Sequence, residues 1–196
     1  MASDTLANPN HQPQRSTLAL IRSDLHAMIF DRGHHRLRKI LTAVLKVLLF
    51  PRIRAVVYYR LSHLAIAWRL DPIAYAFQQF GLRCSGAEIH PKCTIGPYFC
   101  LFHSNGLVIG DRVRIGSNFR CFHGVTLGDK DAVPGQPILG NDVTVYAGAK
   151  ILGPIHIGDR AVIAANAVVL CDVPPDCVAV GIPARVTTRR SAAKMA

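Results

Sequence analysis

Among the nine histidines of this 196-residue chain, His103 and His123 draw attention first. Imidazole titrates near neutrality, so it is the side chain best suited to passing a proton at physiological pH, and it is also the commonest metal ligand. His103 opens the irregular stretch His103-Ser104-Asn105-Gly106, and His123 precedes the polar stretch Gly128 to Ile138. His90 and His156 read as residues of turns and solvated faces. A catalytic metal would need three converging histidines, and the spacing of His90, His103 and His123 does not match such a pattern, so no metal is expected. The six cysteines (Cys84, Cys93, Cys100, Cys121, Cys171, Cys177) form no C-x-x-C pair and lie among apolar or turn residues. They read as reduced small hydrophobes rather than a zinc or disulfide framework.

The elements that must position these groups come from a repeat. From Leu139 onward an aliphatic residue returns at every sixth position: Leu139, Val145, Ile151, Ile157, Ile163, Val169. Four residues after each comes a second small or aliphatic one: Val143, Ala149, Ile155, Ala161, Ala167, Val173. In a half-hydrophobic chain such a run arises by chance about once in 4,000 trials per register. The same register runs upstream through Ile89, Ile95 and Leu101, and through Ile109, Ile115, Cys121 and Leu127. A six-residue period is neither helical nor a simple alternating strand. It predicts a mainly β fold, a parallel β-helix in which three hexapeptides make one triangular coil and the leading aliphatics stack inside.

The register breaks twice, where Leu101 to Ile109 is eight residues instead of six, and again over Gly128 to Ile138. Breaks in a solenoid are where function tends to sit. Counting coils stacks Leu101 on Cys121, which puts Phe102 near Phe122 and His103 near His123 at about the 4.8 Å inter-strand spacing.

The N-terminal third is different. Leu18 to Phe30, His35 to Phe50, Arg52 to Arg69 and Pro72 to Leu82 read as helices, punctuated at Gly33, Pro51, Asp71-Pro72 and Gly81. The expected organisation is a disordered N-terminus over 1–17, a helical domain over 18–85, the β-helix over 86–187 and a tail over 188–196. Leu37, Ile40, Leu41, Val44, Leu45, Leu48 and Leu49 form a wide apolar stripe with Arg36, Lys39 and Lys46 off it. It reads as a cap on the open end of the β-helix, with peripheral membrane contact through the basic helices as the alternative. The longest aliphatic stretch, Ile40 to Phe50, is too short to span a bilayer, and the polar first residues carry no signal peptide, so a cytoplasmic protein is expected.

Charge is lopsided: residues 1–88 hold 12 Lys and Arg against 5 Asp and Glu, within a formal net charge of +11. Such an excess points to an anionic partner. No nucleic-acid module accompanies it.

Several blocks together carry a family likeness: Glu88-Ile89-His90-Pro91, Gly106-Leu107-Val108-Ile109-Gly110, Gly124-Val125-Thr126-Leu127-Gly128, Ala147 through Gly153, Ala165-Asn166-Ala167-Val168-Val169 and Val180-Gly181-Ile182-Pro183-Ala184-Arg185. The series closely resembles serine acetyltransferase, densely over residues 86–187 and more weakly in the helices at Phe50-Pro51-Arg52 and Arg60-Leu61-Ser62-His63. The resemblance implies a left-handed β-helix and direct acetyl transfer from acetyl-CoA to a hydroxyl. It implies His103 as the base and Glu88, where the family normally has Asp, as the carboxylate that orients it. His123 is the alternative base, if the long loop folds over its coil, or an acceptor contact. Ala147, Gly148, Ala165 and Ala167 would let the pantetheine arm lie close, and Lys150 and Arg185, with Arg189 and Arg190 behind it, would meet the phosphates. The family's sites lie between neighbouring β-helices, which implies a homotrimer; its members pair two trimers through a helical domain that is shorter here.

Two further positions depart from the family. Phe102 replaces an Asp that helps bind the serine amine, and Gln136 replaces a histidine that contacts the serine carboxylate. A ring and an amide suit a neutral polyol, so a saccharide hydroxyl is the alternative acceptor to serine. An inactive trimeric scaffold is the alternative of another class. The ending Lys194-Met195-Ala196 lacks the C-terminal Ile through which serine acetyltransferases bind a sulfhydrylase.

Overall fold

The computed structural model describes residues 16–29, 44–131 and 134–188. The expected disordered N-terminus, the first half of the basic stripe, and Arg189 and Arg190 lie outside the described residues.

The repeat builds a three-sided parallel solenoid. Face A carries β1 (Glu88–Ile89), β4 (Val108–Ile109), β7 (Thr126–Gly128), β10 (Lys150–Leu152) and β13 (Val168–Val169). Face B carries β2 (Thr94–Ile95), β5 (Arg114–Ile115), β8 (Ile138–Leu139) and β11 (His156–Ile157). Face C carries β3 (Cys100–Leu101), β6 (Arg120–Cys121), β9 (Thr144–Val145), β12 (Val162–Ile163) and β14 (Cys177–Val180). An antiparallel strand β15 (Arg185–Thr188) covers β14. Strands are short because the chain turns a corner every six residues. Within each, the outward residue precedes an inward aliphatic, and all twelve residues of the downstream repeat are buried. Each such burial contributes about 1.5–3 kcal/mol for a full-sized aliphatic.

Leu101 does pair with Cys121, and Cys121 in turn with Val145 and Val145 with Ile163, so the sequence-counted coils are the observed ones.

A solenoid's first coil exposes an unpaired edge, and helices cover it here. These are α1 (Thr17–Ile29), α2 (Pro51–Ala67) and α3 (Asp71–Ser85); residues 44–49 are also helical. Ala55, Val56 and Tyr59 of α2 join the buried cluster of the solenoid. The backbone groups of the first coil are met by side chains: Ile95 N–H donates to the Tyr59 hydroxyl at 3.1 Å, and Phe99 N–H to Asp24 Oδ1 at 2.9 Å. Arg60 donates to the Ile95 and Gly96 carbonyls at 2.6 and 2.7 Å and to Asp24 Oδ2 at 2.8 Å. Both members of that ion pair are buried. The helical region is thus a cap whose polar groups substitute for a missing coil. Val44, Leu45, Leu48 and Leu49, the described part of the apolar stripe, are exposed.

Candidate active site

Three edges join the faces, and the two histidines fall on one and Gln136 on another, while Glu88, Lys150 and Arg185 lie on strands. The CA edge, where face C turns into face A, carries His103, His123, Ala147 and Ala165 as one column, one residue per coil, as the strand register dictates. Corner backbones stack along it: Gly106 N–H donates to Gly86 O, Gly124 to Asn105 O, Gly148 to His123 O and Asn166 to Ala147 O, all at 2.8–2.9 Å. Every donor in that ladder sits in the left-handed region, φ +57° to +74°. Gly148 needs its missing side chain for a second reason, since a Cβ there would meet Asn166 Oδ1.

Two extra residues between Phe102 and Asn105 enlarge the corner that bears His103, since Asn105 O holds the ladder place that His123 O and Ala147 O hold in the next coils. Ser104 is buried and its hydroxyl donates to Ser85 O at 2.6 Å, which pins the bulge to the end of α3. His103 and His123 are exposed, with ring centroids 5.8 Å apart and planes at 75°. Beside them on face C, Phe102 stacks on Phe122 at 4.6 Å and Phe122 on Tyr146 at 5.1 Å. Toward the later coils the column shrinks to Ala147 and Ala165, so the edge beyond the two imidazoles carries only methyl groups. Toward the helices, a cleft of about 580 Å³ is lined by Phe50, Pro51, Arg52, Phe102, His103, Ser104 and Asn105. Sequence reasoning noted the Phe50-Pro51-Arg52 block but gave it no role in the site. Pro51 opens α2, so the signal was that Arg52 follows a helix start and is not needed to make one.

Other expected members fall elsewhere. Glu88 is exposed on face A in the coil that pairs beneath β4, and it is the only acid between Asp71 and Asp111. Among the described residues no hydrogen bond joins it to His103. Gln136 lies on the AB edge, buried, with its amide fully engaged: Oε1 accepts from Arg112 N–H at 2.9 Å, and Nε2 donates to Asp111 and Asp129 at 2.9 and 2.7 Å. One chain therefore does not bring Gln136 to His103. Ala167 corrects an expectation: its methyl is fully buried in the solenoid, whereas Ala147 is half-buried and Ala165 exposed, so Ala167 faces the interior and not a ligand. Lys150 reaches across face A to the Gly124 carbonyl at 2.6 Å and the Thr126 hydroxyl at 3.1 Å, which braces the corner after His123. Arg185 is exposed on β15.

Burial pushes the Cys93 thiol up to about 12 and raises that of Cys121 as well, so both are protonated packing groups and not nucleophiles. Partial burial lowers the pKa of His90, against the pull of Asp111. His90 belongs to the AB edge, away from His103 and His123. Among the described residues no three His, Cys, Asp or Glu side chains converge as metal ligands.

Two family models match the solenoid: bacterial transferase hexapeptide (six repeats) over residues 136–171, and hexapeptide repeat of succinyl-transferase over residues 106–131. The serine acetyltransferase of Helicobacter pylori is 44% identical over 145 residues, covering 73% of this chain and 85% of that protein. The chain belongs to the serine acetyltransferase family. The Mycobacterium tuberculosis serine acetyltransferase is 40% identical over 74% of this chain and 64% of its own length. Among solved structures, Neisseria gonorrhoeae serine acetyltransferase superposes with a TM-score of 0.77 at 33% identity, covering 91% of this chain and 69% of that one. The soybean apoenzyme gives 0.76 at 34%, covering 88% and 69%. The solenoid is accordingly the left-handed β-helix of the serine acetyltransferases, and the chain is an acyltransferase. Among the described residues no helix is long and apolar enough to cross a membrane.

Proposed function

We propose that this chain transfers an acetyl group from acetyl-CoA to the hydroxyl of serine or a closely related small acceptor, with His103 as general base. One observation carries the reading: His103 stands exposed at the head of a column that narrows to Ala147 and Ala165, on an edge where no described residue ties up its ring nitrogens. The relatives named serine acetyltransferase support the donor and acceptor classes, and so do the solved soybean complex with serine and the Brucella abortus complex with coenzyme A.

In the reaction a ring nitrogen of His103 takes the acceptor's hydroxyl proton as the oxygen attacks the thioester carbonyl carbon. The tetrahedral intermediate collapses with loss of the CoA thiolate, which recovers a proton from the imidazolium. Ester and free thiol leave, and the base is neutral again. Glu88 is assigned to orienting and stabilising that imidazolium, the added methylene supplying reach from face A. Ala147, Gly148 and Ala165 admit the pantetheine arm along the CA edge, and the exposed Arg185 meets the phosphates through charge-assisted bonds. His123 backs His103 from the next coil.

A homotrimer fits this site. Gln136 and His103 sit on different edges of one prism, so an acceptor pocket containing both requires the AB edge of one copy to adjoin the CA edge of another. Acetyl-CoA is a cytoplasmic metabolite, and the cytoplasm is where we place the protein. A saccharide acceptor is the second reading, favoured by the Phe102–Phe122–Tyr146 ring ladder beside His103.

Thiol release from acetyl-CoA by the purified chain, with serine, homoserine and a panel of sugars, tests the proposal. Turnover with serine that falls about 10²–10⁴-fold in His103→Ala is expected. Turnover with sugars alone moves the acceptor to saccharides, and silence with every acceptor sinks the reading.

A further inference from the structure

The cleft beside His103 continues past Phe102 into a second one of about 400 Å³ under α1, and Arg52 and Phe102 line both. Into this second cleft the first coils also turn Asn118 and Arg120. Among the described residues, neither cleft is lined by an acid. Arg60, Arg112 and Arg160 each pair with an aspartate. Arg52 and Arg120, by contrast, make no ion pair or hydrogen bond to a carboxylate among the described residues. Beneath Arg52 lies the Phe50 ring, 5.7 Å from the guanidinium carbon. The two guanidinium groups act on a common point: burial raises the Cys100 thiol pKa, and both arginines pull against that rise.

The chemistry around them is short of a counterion and long on need for one. The position that precedes the base is the apolar Phe102, so nothing there pairs with an ammonium. The amide of Gln136 is committed to Asp111, Asp129 and Arg112 on another edge. The donor path proposed above, along Ala165 and Ala147, approaches His103 from the later coils, which leaves the helix side for the acceptor.

We propose that Arg52, with Arg120 beside it, is the anion subsite of the acceptor cleft, so that this chain selects a hydroxyl acceptor by its carboxylate and not by its ammonium. The inference rests on the acetyl-transfer reading above and names what that site recognises. A fork of guanidinium donors matches a carboxylate in two parallel bonds, and a half-buried cleft with no competing acid among the described residues lets that pairing count.

The test uses three acceptors with the full chain: serine, 3-hydroxypropionate, which lacks the ammonium, and serinol, which lacks the carboxylate. Loss of the carboxylate is expected to lower kcat/KM about 10–100-fold, and loss of the ammonium less than about fivefold. Arg52→Gln is expected to raise the serine KM about 10–100-fold with little change in kcat or in the acetyl-CoA KM. Arg52→Lys restores part of that loss, and the Gln variant slows serinol less than about threefold. Equal turnover of serinol and serine, or an equal loss with both in Arg52→Gln, overturns the proposal while leaving acetyl transfer intact. A wild-type chain silent with all three acceptors overturns the acetyl-transfer reading and this inference with it.

Discussion

Along the CA edge, His103 and His123 present their ring nitrogens to solvent, and the backbone beneath them is locked by a ladder of corner hydrogen bonds. The AB edge of the same solenoid treats its polar side chains in the opposite way. There the amide of Gln136 is shared among Asp111, Asp129 and the Arg112 backbone, and Arg112 closes the ring by an ion pair to Asp129 at 2.9 Å. A rigid backbone carrying unsatisfied side chains is what a reacting group needs; a saturated side-chain network is what the nine-residue loop between β7 and β8 needs to hold its shape. The residue types at the two edges overlap in polarity. Their commitments separate them.

The largest effect should come from dividing the CA edge against itself. Both imidazoles are exposed and touch chiefly rings, so His103→Ala and His123→Ala should each leave stability within about 0.5 kcal/mol of the parent by urea unfolding. Their activities should part by orders of magnitude, kcat falling about 10²–10⁴-fold for His103→Ala and less than about tenfold for His123→Ala. The reverse order would make His123 the base and give the enlarged corner at Ser104-Asn105 another purpose.

The cap offers a sharper case of commitment than the AB edge. Arg60→Met leaves Asp24 as an uncompensated buried charge and frees the Ile95 and Gly96 carbonyls, so a loss of about 3–5 kcal/mol is expected. The double variant Asp24→Leu with Arg60→Met should recover part of it, because removing both charges also removes their desolvation cost. A single variant as stable as the parent would mean the cap is held by Tyr59 and its apolar neighbours alone.

On the AB edge itself, Gln136→Ala strips one amide from between two carboxylates. Unfolding should show a loss of about 1–3 kcal/mol, with the acceptor KM unchanged if the network is purely structural. A raised acceptor KM at intact stability would instead put this edge in the acceptor pocket of a neighbouring copy, and the contrast between the edges would hold for one chain but not for the assembly.

How much of this was legible in the sequence follows the same division. The six-residue period specified which side chains point inward, and it correctly stacked Leu101 on Cys121 and His103 over His123, because a solenoid's register is simple addition. Ala167 shows that the arithmetic outranks composition: the repeat already placed it at an inward position, four after Ile163, while its small size suggested a groove. The cap was legible as helices over the open end, but its polar contacts were not. Asp24 and Arg60 are 36 residues apart on helices whose packing no period encodes, so nothing in the sequence joined them. Gln136 was legible as a departure from the family pattern. Its partners were not, since a loop's hydrogen bonds depend on where its ends are held. Arg52 was visible in a recognised block and passed over for want of knowing what faces it.

The smallest effect tests whether a cation at the CA edge is free for phosphate or already committed. Lys150 sits where a ligand for the donor's phosphates was expected, yet its ammonium reaches the Gly124 carbonyl at 2.6 Å and the Thr126 hydroxyl at 3.1 Å. Gly124 follows His123 and donates its N–H to Asn105 on the enlarged corner, so the brace runs directly beneath the reacting edge. Lys150→Met keeps the length of the stem and removes the charge. If the brace is the residue's whole role, stability should drop by about 1 kcal/mol and the acetyl-CoA KM should move less than about threefold. If Lys150 leaves its carbonyl for the phosphates when the donor binds, the KM should rise about tenfold with stability hardly changed. Only the second result would give the CA edge a charge that switches partners, and Arg185 on β15 would then share the phosphates with it.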